Sequence, residues 1–328
     1  MRRFRMGVLA LCLVFTALLI IGCGTQTNLD ETDGGLLLGF SQLGSESGWR
    51  LGNTKSVEEA AEKAEIRLML ENANQSQEKQ IKAIRSFIAY QVDVIAFSPI
   101  VQDGWESVLQ EAKEAGIPVI IEDRTVNVKN PNLYATHIGS DFYSEGVKAG
   151  EYLLKKLSTL PEDKTLNVVE IYGTWDSSPM LQRAQGFRDA VAGEKRIRIL
   201  DSVSGDFLIS KGKEAMEGLL QKYGREIDAL YAHNDSMMYG ALEAIEEYGL
   251  TPGKDIIIMS VDGEQRAIDL LKEGKVNCVV ECTPMLGDII MQVAMDLKDG
   301  KTVEREIYSQ EVAFTEFDDL THIPPRGY

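Results

Sequence analysis

Glu46, Trp49 and Arg50 fall within one short stretch, directly after an apolar run and a glycine- and serine-rich turn (LLLGFSQLGSESGWR, residues 36–50). A short apolar run reads as a buried parallel strand, and glycines let the following backbone turn and approach a ligand closely. The ligand-type side chains then sit at a strand's carboxyl end, where open α/β sheets bind small molecules. An indole face packs on the C–H face of a sugar ring, while a carboxylate and a guanidinium take its hydroxyls. A solvated loop with one buried tryptophan accounts equally well for these residues taken alone.

Further side chains of this kind recur at strand ends. Asp123-Arg124, Asn234-Asp235, Asp262 and Glu281 each close an apolar run, and Arg183 lies early in a helical stretch. At 123–124 a carboxylate accepts from hydroxyls, a planar guanidinium donates in a fixed fork, and the two charges neutralise one another. A structural ion pair at a hinge is the other reading. Arg183 offers a second fork, or a solvated helical arginine. Asn234 reads a hydroxyl without adding charge, or caps the helix expected from Ser236. Asp262-Gly263 is also a turn signal, and Glu281 is open to a solvent-facing reading. Trp175 and Asp176 either line the same cleft or fill its rim. His137, His233 and His322 have no nucleophile partner or metal spacing, and the scattered Gly139, Gly146 and Gly150 make no dinucleotide fingerprint. Acids without an activated nucleophile favour holding a ligand over transforming it, so no enzyme activity, cofactor or metal is expected. A glycosidase with paired carboxylates is the enzymatic alternative.

The elements that position these groups alternate in type. Strand-like runs at 37–42, 66–71, 94–98 and 119–122 are followed or separated by amphipathic stretches at 53–64, 76–90 and 105–115, the pattern of βαβ units around a parallel sheet. A second series begins with a strand over 134–138 and a helix over 143–157. It continues with strands at 167–171, 198–203, 229–232, 256–261 and 276–280 and helices at 179–191, 210–223, 236–248 and 265–272. Residues 284–297 read as one more helix, and the tail is irregular. Two α/β sheets in succession, each ending strands in polar residues, predict two similar lobes facing one cleft.

The chain has 328 residues, which favours two domains, and its net charge of −17 argues against a nucleic-acid partner. Residues 1–22 depart from this composition. MRRFR supplies a positive start, 6–21 an apolar core and Ile20-Ile21-Gly22-Cys23 a small residue before a cysteine, the pattern of a secretory signal, too short and too abruptly ended for a membrane span. That segment carries three arginines and no acid, so its removal takes the net charge to −20. Residues 25–35 are polar and read as a tether, with 23–35 as the whole linker. Cys278 and Cys282, four apart on one strand, are separated by roughly 13 Å and out of disulfide reach, so two buried thiols are expected.

The segments GFSQLGSESGWR, IKAIRSF, GWESVLQEAKEAGIPVI with EDR, SGDF (204–207), YAHND and SVDG (260–263) together resemble the periplasmic sugar-binding proteins of ABC transporters, in the ribose-binding-type group and its galactofuranose-binding branch. The resemblance runs from about Gly39 to Pro284, with a weaker return at Gly327-Tyr328. It implies two Rossmann-like lobes of the periplasmic binding protein type I fold, joined by three crossovers and a hinge around an interlobe cleft. The implied lobes are 36–138 plus 283–308 and 139–282 plus 309–328. The implied ligand contacts are Glu46, Ser47, Gly48, Trp49, Arg50, Asp123, Arg124, Arg183, Asn234 and Asp262, with Glu281 matching more loosely. The segment 175–180 is bulkier than its counterpart in the group. The Ile-Ile-Gly-Cys ending resembles a lipobox, implying cleavage before Cys23 and lipid on its thiol. The expectation is therefore an extracytoplasmic, membrane-tethered monomer that delivers a monosaccharide to an ABC permease, with a sugar-presenting module for a membrane kinase or chemoreceptor as the alternative.

Overall fold

The computed structural model describes residues 35–328; the expected signal (1–22), Cys23 and the tether up to residue 34 lie outside the described residues. The rest builds two six-stranded sheets. The first holds β1 (Leu37–Gln42), β2 (Arg67–Asn72), β3 (Val94–Phe97), β4 (Val119–Glu122), β5 (Thr136–Gly139) and β11 (Glu306–Tyr308), in the order β11-β5-β4-β3-β1-β2. The second holds β6 (Leu166–Tyr172), β7 (Ile197–Ser204), β8 (Ala229–Ala232), β9 (Ile257–Asp262), β10 (Cys278–Glu281) and β12 (Ala313–Thr315), in the order β12-β10-β9-β8-β6-β7. Only the β10–β12 pairing is antiparallel among these strands.

The helices among the described residues are α1 (Gly48–Lys63), α2 (Gln77–Ala89), α3 (Glu106–Glu114), α4 (Phe142–Ser158), α5 (Ser178–Val191), α6 (Ile209–Tyr223), α7 (Asp235–Glu247), α8 (Gln265–Lys272) and α9 (Gly287–Lys298). None is long and apolar enough to cross a membrane. They cover both faces of each sheet, which is why the inner strands are continuously apolar rather than alternating. Val94, Ala96 and Ile120 pack with Val57 and Ala60 of α1 and Ile290 of α9, while Ile95, Phe97 and Ile121 pack with Ile84 and Phe87 of α2 and Leu109 of α3. The second sheet repeats this, with Met259 and Val280 on one face and Ile258 and Val279 on the other.

Three expectations change. The strand at 134–138, which opens the second series in sequence, pairs as β5 with β4 in the first sheet. The irregular tail supplies β11 to the first sheet and β12 to the second. Helix α1 starts at Gly48, not at residue 53, because Ser47 caps it: the Arg50 amide donates to Ser47 Oγ at 3.1 Å.

The chain passes between the sheets after β5, after β10 and between β11 and β12. One carboxylate oxygen ties these passages together. Glu311 Oε1 accepts from Ser140 Oγ (2.6 Å), Ser309 Oγ (2.7 Å) and the Thr283 amide (3.0 Å).

Candidate functional site

In each sheet the first and third strands of the βαβ series lie side by side, so the strand order reverses there and the loops leaving them part. The carboxyl ends of both sheets meet around a cavity with about 320 Å³ of empty space, part of it open to solvent. Its lining draws on the first sheet's loops through Glu46, Ser47, Trp49, Arg50, Asp123 and Arg124, and on the second sheet's side through Pro179, Arg183, Phe207, Asn234, Asp262 and Cys282.

Helix α1 delivers Trp49 and Arg50 from its first turn. The Trp49 indole is buried and its N–H donates to the Cys282 carbonyl at 2.6 Å. Arg50 donates to Asp123 Oδ2 (2.5 Å), Glu46 Oε1 (3.2 Å) and Ser98 Oγ (3.3 Å). Burial opposes its charge, but Asp123, Glu46 and Glu122 outweigh burial and hold the guanidinium protonated. Burial likewise pushes Asp123 up, and the Arg50 and Arg124 charges overcome it, so Asp123 sits below the ordinary carboxylate range. The expected Asp123–Arg124 pair is present but long, with Arg124 Nε 4.0 Å from Asp123 Oδ2, and Arg50 is the closer partner. A left-handed backbone at Asp123 (φ 58°) redirects the chain at this point.

Arg124 donates from Nη1 to the Ile100 carbonyl at 2.8 Å and lies 5.2 Å from the centre of the Phe207 ring. Its Nε is buried without a hydrogen-bond partner. Burial and the Arg50 charge bring its pKa down to about 10, which leaves it charged at neutral pH. From the other sheet, Arg183 donates to Glu145 Oε2 (2.6 Å) and to the His233 carbonyl (2.5 Å). Asn234 Oδ1 caps α7 by accepting from the Met237 amide at 2.9 Å, which leaves the Nδ2 donors. Asp235 lines nothing. It accepts from Ser260 Oγ and from the Gly263 and Glu264 amides and fixes the turn that carries Asp262. Asp262 has φ 126°, strained for a residue with a Cβ, and its buried Oδ2 is unpartnered. Burial first and the Asp235 charge second push it well above the ordinary carboxylate range.

Glu281 and Gly48 do not line the cavity. Strand alternation puts Glu281 on the face of Val279, opposite Cys282, and Arg326 of the tail takes its carboxylate. Gly48 matters for what approaches it: a Cβ there would meet Glu264 Oε1 at 2.6 Å. Trp175 is 53 % exposed and borders a separate groove with Asp201 and Lys222. His137 bonds Glu306 and the Asp123 carbonyl, and His233 is buried between Tyr172 and Tyr231. Cys278 and Cys282 are free, buried thiols, as the strand spacing implied.

Phe207 and Pro179 are lining residues that the sequence reading did not single out. Phe207 follows a strand end in SGDF, and bare Gly173 makes its place: a Cβ on Gly173 would fall 1.8 Å from Phe207 Cζ. An aromatic after a polar strand end was the available signal. Glu145, Cys282 and Glu311 offer three ligand-type atoms within 4.8 Å of one another, but Glu145 is engaged by Arg183 and Glu311 by the three crossovers.

Comparison with known proteins places this geometry in context. A family model described as the periplasmic binding protein domain matches residues 38–302. The chain is 44% identical over 273 residues to the galactofuranose-binding protein YtfQ of Escherichia coli (strain K12), covering 82% of this chain and 85% of that one. A crystal structure from Mycobacterium smegmatis in complex with β-D-fucofuranose is 43% identical, with a TM-score of 0.83 over 86% of this chain and 92% of the other. The binding protein of the arabinose ABC transporter of Shewanella sp. ANA-3, bound to α- and β-L-arabinofuranose, is 40% identical, with a TM-score of 0.82 over 86% and 92%.

Proposed function

The chain belongs to the periplasmic binding protein family, and on that premise we propose that it captures a monosaccharide outside the cytoplasm, in its furanose form, and presents it to an ABC importer. One observation carries this reading. Arg124 Nε from the first lobe and Asp262 Oδ2 from the second are buried, unpartnered and border the same cavity. Buried polar atoms are ordinarily paired, and a hydroxylated ring offers both an acceptor and a donor. The furanose preference rests on the relatives, which are named for galactofuranose or bound to fucofuranose and arabinofuranose.

In this reading Trp49 and Phe207 flank the ring, and Arg50, Arg124, Arg183, Asn234, Asp123, Glu46, Ser47 and Asp262 meet its hydroxyls. Gly48 and Glu281 act through the lobe contact and the tail. The lobes, 36–138 plus 283–308 and 139–282 plus 309–328, close about the crossovers tied by Glu311. Contacts to the sugar from both lobes stabilise the closed form, and a ligand shifts that equilibrium only by its differential affinity. The site holds its ligand without transforming it, and the protein acts as a monomer.

Residues 1–22 direct export and are removed, leaving a lipid on Cys23 that tethers the protein to the membrane. Incorporation of labelled fatty acid that persists in Cys23→Ala would contradict the tether. The test of function is a thermal-shift and calorimetric panel of free monosaccharides beside methyl pyranosides locked in the six-membered ring. Binding of D-galactose, D-fucose or L-arabinose without their locked pyranosides supports the proposal. Equal binding of the locked forms overturns the ring preference, and no binding overturns the function.

A further inference from the structure

Beyond the sugar contacts, a carboxylate that no ligand role absorbs bridges the two lobes directly. Glu264 follows β9 in the second lobe and is 8 % exposed. Its Oε1 accepts the backbone N–H of Trp49, in the first turn of α1 in the first lobe, at 3.0 Å. Its Oε2 accepts the Tyr239 hydroxyl at 2.9 Å, which holds the carboxylate in place within its own lobe. Its own amide is fixed by Asp235.

Helix starts leave four amides without internal partners, and their partial positive charge favours an anion. Ser47 takes the Arg50 amide; Glu264, from across the cleft, takes that of Trp49. Gly48 permits the approach, since any Cβ there would meet Glu264 Oε1 at 2.6 Å. Other cross-cleft contacts accompany it: the Trp49 indole N–H to the Cys282 carbonyl (2.6 Å), Thr125 N–H to Ser178 Oγ (2.9 Å) and Gln102 N–H to the Asp176 carbonyl (3.4 Å).

We propose that Glu264 is a latch across the cleft: it caps α1 of the opposite lobe when the lobes close, and Gly48 is the notch it enters. The proposal rests on the sugar-binding reading for its purpose but not for its chemistry. The latch is a positioning contact that holds the closed form without touching sugar, so it slows ligand release and adds affinity independent of which sugar is bound. It also presses Trp49, whose indole borders the cavity, into place through that residue's own backbone.

The test compares wild type, Glu264→Ala, Glu264→Gln, Gly48→Ala and the Gly48→Ala/Glu264→Ala double variant, with D-galactose and L-arabinose as probes. Calorimetry is expected to give an affinity about tenfold weaker for Glu264→Ala, the size of one hydrogen bond to a charged group. Glu264→Gln, which keeps an acceptor oxygen, restores most of it. Gly48→Ala weakens binding in the wild-type background and far less when Glu264 is already alanine, because the clash is gone. Independently of sugar, the Trp49 amide exchanges its hydrogen slowly in wild type and quickly in Glu264→Ala. Equal Trp49 exchange in these two proteins, or additive effects of the two substitutions, overturns the latch. If wild type binds neither sugar, the functional reading fails and the Trp49 exchange comparison still decides the latch.

Discussion

Arg124 and Asp262 differ from the other charged residues of the cavity in what surrounds them. Arg50 and Arg183 already make short contacts to carboxylates, those of Asp123 and Glu145. Arg124 has one short bond, to a carbonyl, and its Nε and Asp262 Oδ2 have none. Removing Arg124 therefore costs the ligand more than it costs the fold. Arg124→Ala is expected to weaken sugar binding tenfold or more in calorimetry while the unliganded melting temperature stays near wild type. Trp49→Ala weakens binding similarly but also lowers stability, since its indole N–H bonds Cys282 and its ring is buried. Unchanged affinity in Arg124→Ala would remove the residue from the site. At this scale the sequence was informative where a residue ended a strand: Asp123, Arg124, Asn234 and Asp262 all reach the cavity. It was uninformative where alternation decides the outcome. Glu281 and Cys282 are neighbours, yet only the second lines the site, and the strand's phase is set by packing that a lone run of apolar residues does not reveal.

Between elements, a buried polar chain fixes α1 against the sheet. Gln42 of β1 donates to Asn53 Oδ1 (2.8 Å), and Asn53 donates to Glu122 Oε1 of β4 (2.6 Å) and to the Pro284 carbonyl (3.2 Å). Burial, with the Asp123 charge second, pushes Glu122 up to about 8 from an ordinary 4.5. A carboxyl whose pKa is raised on folding favours the folded state fully below its unfolded pKa, and that contribution is lost as pH rises through the folded value. Wild type should therefore lose stability between about pH 4.5 and pH 8 on account of this group. Glu122→Gln keeps an acceptor for Asn53 but has no proton to lose. Its melting temperature is expected to gain on wild type by a few degrees across that range, since about 1 kcal/mol moves a domain of this size by ~2–4 °C. Parallel pH profiles would contradict the assignment. The helices and long strands were legible because a period of 3.6 or a run of aliphatics marks them. Strands β11 and β12 were not, because each is only three residues long and is made by pairing with a neighbour remote in sequence. The early start of α1 was legible in Ser47, a good cap, but glycine as the next residue obscured it.

For the whole molecule, the two sheets share one strand order without a sequence repeat, so each lobe presents its strand-order reversal to the same cleft. That was foreseeable from two successive βα series, whereas the tail's return through both sheets depends on long-range pairing. In the proposed function the arrangement converts modest chemistry into capture: no single residue could enclose a sugar, but loops from two sheets, tied at Glu311 and meeting at Glu264, would enclose it together. The central claim is that one furanose sits between the lobes and satisfies Arg124 and Asp262 at once. The most direct measurement is a crystal structure of the protein grown with D-galactose. The account predicts a single five-membered ring beside Trp49 and Phe207, within hydrogen-bond distance of Arg124 Nε and Asp262 Oδ2. A sugar bound instead in the groove beside Trp175, or one contacting a single lobe, would contradict it.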